Sequence, residues 1–384
     1  MKDLKPDLQQ RKQQGLYRSR KILQSPQGRE IILNDKQVLN FCSNDYLGLA
    51  NHPDVIQSFT KAAQQFGVGS GAAHLVNGHT SSHHALEEEL AEFTGYPRAL
   101  LFSTGYMANL GAAQSLCSKD DFIIEDKLNH ASLIDAANIS HAQLKRYLHK
   151  DYNSLLKKLS SCKSGEKLVC SDSVFSMDGD EADIKMMTKH CRDNNARLML
   201  DDAHGFGVLG DNGQGSLRHQ KIPTSDVDVY MATLGKAMGT AGAFIAGSDD
   251  LIETLIQKAR CYIYTTAMPA AVAEATRTSL QLLTKENWRQ QSLNSNIKYF
   301  KTLIKQSDLN LLESNTAIQP IIIGDSKMAI NISQKMFDLG FHIAAIRPPT
   351  VPKNTSRLRI TLRADHCEAD IKELVDGLIK SINL

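Results

Sequence analysis

No apolar run in these 384 residues reaches the length needed to span a bilayer. Residues 1–14 are charged and Gln-rich and contain nothing like the apolar stretch of a secretory signal. The expectation is a cytoplasmic protein with no membrane partner. Charge of one sign is missing too. Against 44 Lys and Arg stand 42 Asp and Glu, a formal net charge of +2 with no basic tract, so nothing points to nucleic acid. The seven cysteines, at 42, 117, 162, 170, 191, 261 and 367, include no Cys-x-x-Cys pair. They read as reduced, buried thiols, and no bound metal is expected.

Internal repeats and low-complexity linkers are also absent. The Gly-rich stretch 67–71 is no nucleotide loop, because it follows a helix pattern (Val55–Phe66) rather than a strand and lacks a Walker Lys. It reads as a flexible, close-packed segment near a site. What remains is 42% hydrophobic and 22% charged, the balance of a globular protein with a real core.

Patterning divides the chain in three. Residues 1–45 read as a charged helix over 1–22 and a short hairpin over 30–41 that turns at Asn34-Asp35. Residues 46–280 read as a large α/β domain. His84–Phe93 has helical spacing and ends near Gly95. Short apolar runs at Ala99–Phe102, Phe122–Ile124, Lys167–Cys170, Leu198–Leu200 and Val227–Ala232 alternate with helical patterns, which argues for a mostly parallel sheet covered by helices. Residues 281–384 read as a small α+β domain. It has strands at Ala317–Ile323, Phe341–Ile346 and Arg357–Leu362, a helix at Lys327–Leu339 closed by Gly340, and a terminal helix at Glu368–Ile382.

Ligands of open parallel sheets sit beyond the carboxyl ends of the strands. Here each predicted strand of the large domain is followed by polar groups: Ser103 to Tyr106, His130, Ser176, Asp201 with His204, and Thr233 with Lys236. Each alone has an ordinary reading. Ser103–Tyr106 could be a plain strand–helix turn, Asp201 and His130 could be helix caps, and Thr233 could cap a turn. Asp202 reads as solvent-facing or structural. Convergence on one edge is harder to obtain by chance. Lys236 offers an amine that can form a Schiff base, and Asp201 a carboxylate that can keep a pyridine nitrogen protonated. These are the two groups pyridoxal 5'-phosphate (PLP) chemistry needs most. The helix start at 103–106 suits a phosphate. Arg357 and Arg359, two apart on a strand, face one side, as a carboxylate grip or as a structural pair.

These residues resemble the α-oxoamine synthases, fold-type I PLP enzymes that condense an amino acid with an acyl thioester and release carbon dioxide. The likeness runs from about Leu16 to the C-terminus. It rests on Ser43–Gly48 (Ser-Asn-Asp-Tyr-Leu-Gly), Val174–Asp180, Asp201–Gly205, Thr233–Lys236, and Ala345–Pro352 followed by Ser356–Arg359. The resemblance implies Lys236 as the Schiff-base lysine and the base for the α-proton. Asp201 would hold the pyridine nitrogen, His204 and Ser176 would surround the 3-hydroxyl, and His130 would stack on the ring and act on the acyl carbonyl. Gly105, Tyr106 and Thr233 would take the phosphate, with Thr265 or Thr266 reaching that of a neighbouring subunit in a homodimer whose active sites lie at the interface. Arg18, Asn44 and Arg359 would meet the substrates. The reaction implied joins L-alanine to a pimeloyl thioester on coenzyme A or an acyl carrier protein; the alternative is glycine or serine with a different acyl chain. Two positions depart from the family pattern: Asp172, where relatives place Glu, and His74, where many place Gly or Arg.

Overall fold

The computed structural model describes residues 3–14 and 16–382, and the chain divides into two compact units. The larger comprises Leu49–Ser176 and Glu181–Gln290. The smaller takes the residues up to Gly48, Met177–Asp180 and everything from Gln291 onward. In chain order the strands are β1 (Glu30–Leu33), β2 (Lys36–Asn40), β3 (Arg98–Phe102), β4 (Phe122–Asp126), β5 (Gln143–Tyr147), β6 (Lys167–Asp172), β7 (Arg197–Asp201), β8 (Val229–Thr233), β9 (Ala243–Gly247), β10 (Ile318–Gly324), β11 (Phe341–His342), β12 (Ala344–Ile346) and β13 (Ser356–Thr361).

The larger unit is built on one seven-stranded sheet in the order β3-β9-β8-β7-β6-β4-β5. All its strands run parallel except β9, which pairs antiparallel with both β3 and β8. Its strands are apolar on both faces because helices cover both. Leu168, Val169 and Cys170 of β6 and Leu198, Met199 and Leu200 of β7 are all nearly inaccessible to water. The chain runs outward from β4 to β5 and then returns to lay β6, β7 and β8 on the other side of β4. A crevice for ligands forms beyond the carboxyl ends at such a reversal. Among the described residues, no helix is long and apolar enough to cross a membrane.

In the smaller unit, β1 and β2 form the expected hairpin, with Asn34 and Asp35 both at positive φ (50° and 60°) in its two-residue turn. The predicted strand 341–346 is two strands. β11 joins β2 in parallel while β12 pairs with β13, so adjacent residues serve different sheets. The helix expected over 1–22 is also corrected. Only Lys5–Gln13 is helical, and Met1, Lys2 and Gly15 lie outside the described residues. That helix buries none of its residues. Further on, the chain is extended because Gln24 N donates to Ile32 O (2.9 Å) and Ile22 O accepts from Asn34 N (2.9 Å), so pairing along β1 wins over helix propensity.

Two further expectations change. Residues 67–71 are not close-packed: a Cβ at Gly67, Gly69 or Gly71 would meet nothing within 4 Å. Gly67 and Gly71 are instead needed for their positive φ of 79° and 73°. Of the cysteines, Cys117, Cys162, Cys170 and Cys191 are buried as expected, whereas Cys367 is exposed.

Candidate active site

Six parallel strands of the larger unit end on the same edge, and five of them, β3, β4, β6, β7 and β8, hand the chain to the candidate segments. β3 leads to the helix Gly105–Leu116, whose first turn is capped by Thr104 Oγ1 accepting from Met107 N at 3.2 Å. One turn in, Asn109 is fully buried. Its Nδ2 donates to Asp201 Oδ2 and to Ser132 Oγ, both at 2.8 Å. Asp201 closes β7, and its Oδ1 accepts from Ala203 N at 3.0 Å. Ser132 lies in the helix that follows β4, where His130 is the capping residue.

That network has a direction. Asn109 donates to Ser132 Oγ, so the Ser132 hydroxyl proton is available to His130 Nδ1, 2.7 Å away. Ser132 N also points its hydrogen at Nδ1 (3.3 Å). Nδ1 is therefore the acceptor, and the proton of neutral His130 sits on Nε2. Burial lowers the pKa of His130 and the positive Lys236 adds to this, while Asp201 works against both. The imidazole is thus kept neutral, with an Nε2–H donor.

The carboxylate of Asp172, at the end of β6, accepts from the backbone N–H of His130 at 2.8 Å. This shorter side chain therefore reaches across the chain reversal and clamps the β4 loop. Burial first, then the neighbouring Asp201, pushes its pKa well up. Lys236 lies on the loop between β8 and β9, with its Nζ 2.7 Å from His204 Nε2. Asp202 does not face solvent. Its carboxylate is fully buried and takes bonds from Ser216 Oγ (2.5 Å), Ser216 N (2.8 Å), Tyr230 OH (2.6 Å) and Ser173 Oγ. It is a structural staple behind the site.

Lys236, His204, Asp201 and His130 are thus joined by contact or by mutual electrostatic influence. Gly105 opens the helix that carries Asn109. The neighbouring Tyr106 hydroxyl binds Asp135, and its ring stands edge-on to His130 at 6.5 Å. Thr233 Oγ1 donates to Gly242 O at 3.0 Å, tightening the base of the lysine loop. Thr266, next to Thr265, bridges Ala73 through its backbone, and its carbonyl accepts from Ser103 Oγ at 3.4 Å. Ser176 follows β6 and is half-buried.

Arg18, Asn44 and Arg359 belong to the smaller unit. Arg359 is buried on β13 and donates to Asn44 Oδ1 (3.2 Å) and Thr361 Oγ1 (3.1 Å). Its strand neighbour Arg357 is an ion-pair partner of Asp178. Arg18 is exposed, close enough to Arg347 to lower that guanidinium's pKa, although burial of Arg347 is the larger cause. Sequence reasoning missed Asn109 and Ser132 as members of the site. The available signal was a polar amide in an otherwise Ala- and Gly-rich helix, which must find buried partners.

Comparison with known proteins follows the same lines. The family Aminotransferase class I and II matches residues 36–378. An 8-amino-7-oxononanoate synthase of Thioalkalivibrio sulfidiphilus is 52% identical over 383 residues, covering 100% of this chain and 98% of that one. One from Saccharophagus degradans is 52% identical over 98% of this chain and 95% of its own length. Among solved structures, Sphingomonas wittichii serine palmitoyltransferase superposes with a TM-score of 0.94 at 28% identity, covering 99% and 98% of the two chains. An 8-amino-7-oxononanoate synthase from Francisella tularensis superposes with a TM-score of 0.79 at 31% identity, covering 90% and 98%.

Proposed function

This chain belongs to the aminotransferase class I and II family, and on that basis we propose that it is a PLP-dependent acyltransferase that condenses L-alanine with a pimeloyl thioester. The products are 8-amino-7-oxononanoate, carbon dioxide and the free carrier, a step of biotin biosynthesis. The observation that carries this reading is identity of 52% along the whole chain to 8-amino-7-oxononanoate synthases. Serine palmitoyltransferases share the fold closely but only 28% of the sequence, which favours alanine over serine.

The residues present fit PLP. An amine (Lys236), a buried carboxylate (Asp201) and the start of a twelve-residue helix (Gly105–Leu116) match an aldehyde, a pyridine nitrogen and a phosphate. When bound, PLP supplies an aldehyde for the substrate amine and a ring that accepts the electron pair left at the α-carbon.

The chain's own residues do the rest. Lys236 would attach the cofactor and then, released, take the α-proton at Nζ; His204 Nε2, 2.7 Å away, holds that amine in place. Asp201 would face the pyridine nitrogen, kept oriented by Asn109 Nδ2 and Ala203 N. His204 and Ser176 would flank the 3-hydroxyl. Gly105, Tyr106 and Thr233 would take the phosphate, with Thr265 or Thr266 contributed by a second copy of the chain. His130 would stack on the ring, and its Nε2–H would donate to the thioester carbonyl as negative charge builds on that oxygen. Arg359, with Asn44, would bind the amino-acid carboxylate, and Arg18 would lie near the acyl substrate.

The test is mass spectrometry of the product formed by the PLP-loaded protein, given L-alanine, glycine or serine with pimeloyl, shorter and longer thioesters on coenzyme A or carrier protein. A product of the mass of 8-amino-7-oxononanoate that requires L-alanine is expected. A product from another pair alone would discard the biotin step and keep the reaction class. Lys236→Ala is expected to abolish turnover, and full activity in that variant would overturn the assignment of Lys236.

A further inference from the structure

The larger unit holds a second concentration of chemistry that the proposed reaction does not use. His74 lies in the helical turn His74–Gly78, His79 follows it, and His83, His84 and Glu87 lie on the helix Ser81–Thr94. We infer that His79, His84 and Glu87 form a binding site for a divalent transition-metal ion of the zinc type.

One ligand atom from each of the three lies within 4.8 Å of the others. His79 Nε2 is 3.9 Å from Glu87 Oε2. His84 and Glu87 are three apart on one helix and therefore share a face. A tetrahedral ion about 2.1 Å from each ligand holds the ligand atoms about 3.4 Å apart, so the gap closes with a small rotation of the side chains. Two imidazoles and a carboxylate suit zinc, and they leave the fourth coordination position open on the side where His84 is exposed.

The supporting contacts are those a metal centre needs. His79 Nδ1 lies 3.0 Å from His74 Nδ1, so the nitrogen turned away from the ion is already held. His74 is itself buried and stacked on Tyr262, with ring centroids 5.0 Å apart and planes within 13°. Glu87 is anchored through Oε1, which accepts from Leu101 N of β3 at 2.9 Å, leaving Oε2 turned towards His79. His83 is not a ligand in this arrangement. Its Nδ1 accepts from Thr80 N (3.0 Å) and its Nε2 meets Met268 O (2.8 Å), so both nitrogens fasten the start of the helix. His74 departs from the family pattern, and here it has a place in the support of the site.

Calorimetric titration of the tag-free, PLP-loaded, chelator-treated protein with zinc chloride tests this. One ion per chain is expected, with X-ray absorption showing two imidazoles and an oxygen ligand. His84→Ala changes an exposed side chain and should fold normally, keep its turnover and bind zinc at least about tenfold more weakly; His74→Phe, which keeps the stack on Tyr262, should weaken binding about tenfold. Absence of saturable binding would overturn the inference. So would undiminished binding by His84→Ala, since that would put the ion elsewhere, such as at His130 and His204.

Discussion

Asp201 and Asp202 are adjacent and chemically identical, yet alternation along the end of a strand sends them into different surroundings. Asp201 meets Asn109 on the edge where Lys236 lies, whereas Asp202 is sealed among Ser173, Ser216 and Tyr230. Asp202→Asn puts an NH2 group where two donors now point. Hydrogen bonds to a charged group are worth about 1.5–3 kcal/mol each, so a loss of about 3 kcal/mol is expected, read as a lowered denaturant midpoint with unchanged slope. His366 makes a pH prediction. Burial pushes its pKa down to about 4 from 6.5; its Nδ1 accepts from Arg363 N (3.2 Å), and its Nε2 meets Asn40 O (3.2 Å). Asp365, Arg363 and Asp370 face it. Between those two values the unfolded chain binds a proton that the native chain does not. The stability due to neutral His366 is therefore present above pH 6.5 and is lost as pH falls towards 4, by about 3 kcal/mol in all. Thermal melts from pH 7 to pH 4 should fall more steeply for the natural protein than for His366→Gln; parallel curves would contradict this.

At the scale of elements, the unusual feature is the reversal that carries Lys236. β8 and β9 pair antiparallel, with Thr233 opposite Ala243, so the lysine sits on a closed loop rather than on a strand-to-helix crossover. That loop is pinned by Leu234 N to Gly242 O (2.9 Å), Thr240 N to Leu234 O (3.0 Å) and Gly239 N to Lys236 O (2.8 Å). Gly239 has φ 66°, and a Cβ there would meet Ala50 N at 2.3 Å. Gly239→Ala must therefore shift the loop. A stability loss of about 2 kcal/mol or more and a large fall in kcat are expected, whereas Gly235→Ala, whose Cβ would meet nothing closer than 3.6 Å, should leave stability nearly unchanged. β9 itself was not legible beforehand. Ala243–Gly247 is short, built largely of small residues, and shows no alternation because both faces are buried. β11 and β12 read as one strand for a related reason: Phe341–Ile346 is apolar apart from His342, and only their partners divide it.

For the whole molecule, the homodimer remains a proposal, with its own measurement. Sedimentation of the PLP-loaded protein should give a particle of two chains, and a fully active monomer would overturn the assignment of Thr265 or Thr266 to a neighbouring site. Much of the architecture could be read directly. Alternation of apolar runs with helical patterns announced a mostly parallel sheet, and the polar groups after each run marked the edge of the candidate site, because both are properties of neighbouring residues. Lys236, Asp201, His204 and His130 could be nominated for that edge for the same reason. What the sequence determined by itself is therefore the class of fold, most of the local elements and the chemical types of the candidate site residues. Only the tertiary structure decided that β9 runs antiparallel, that Asn109 and Ser132 set the proton of His130, that Asp202 is buried, and that His79, His84 and Glu87 converge. Each of these depends on which distant segments become neighbours, and packing across the chain sets that, not periodicity along it.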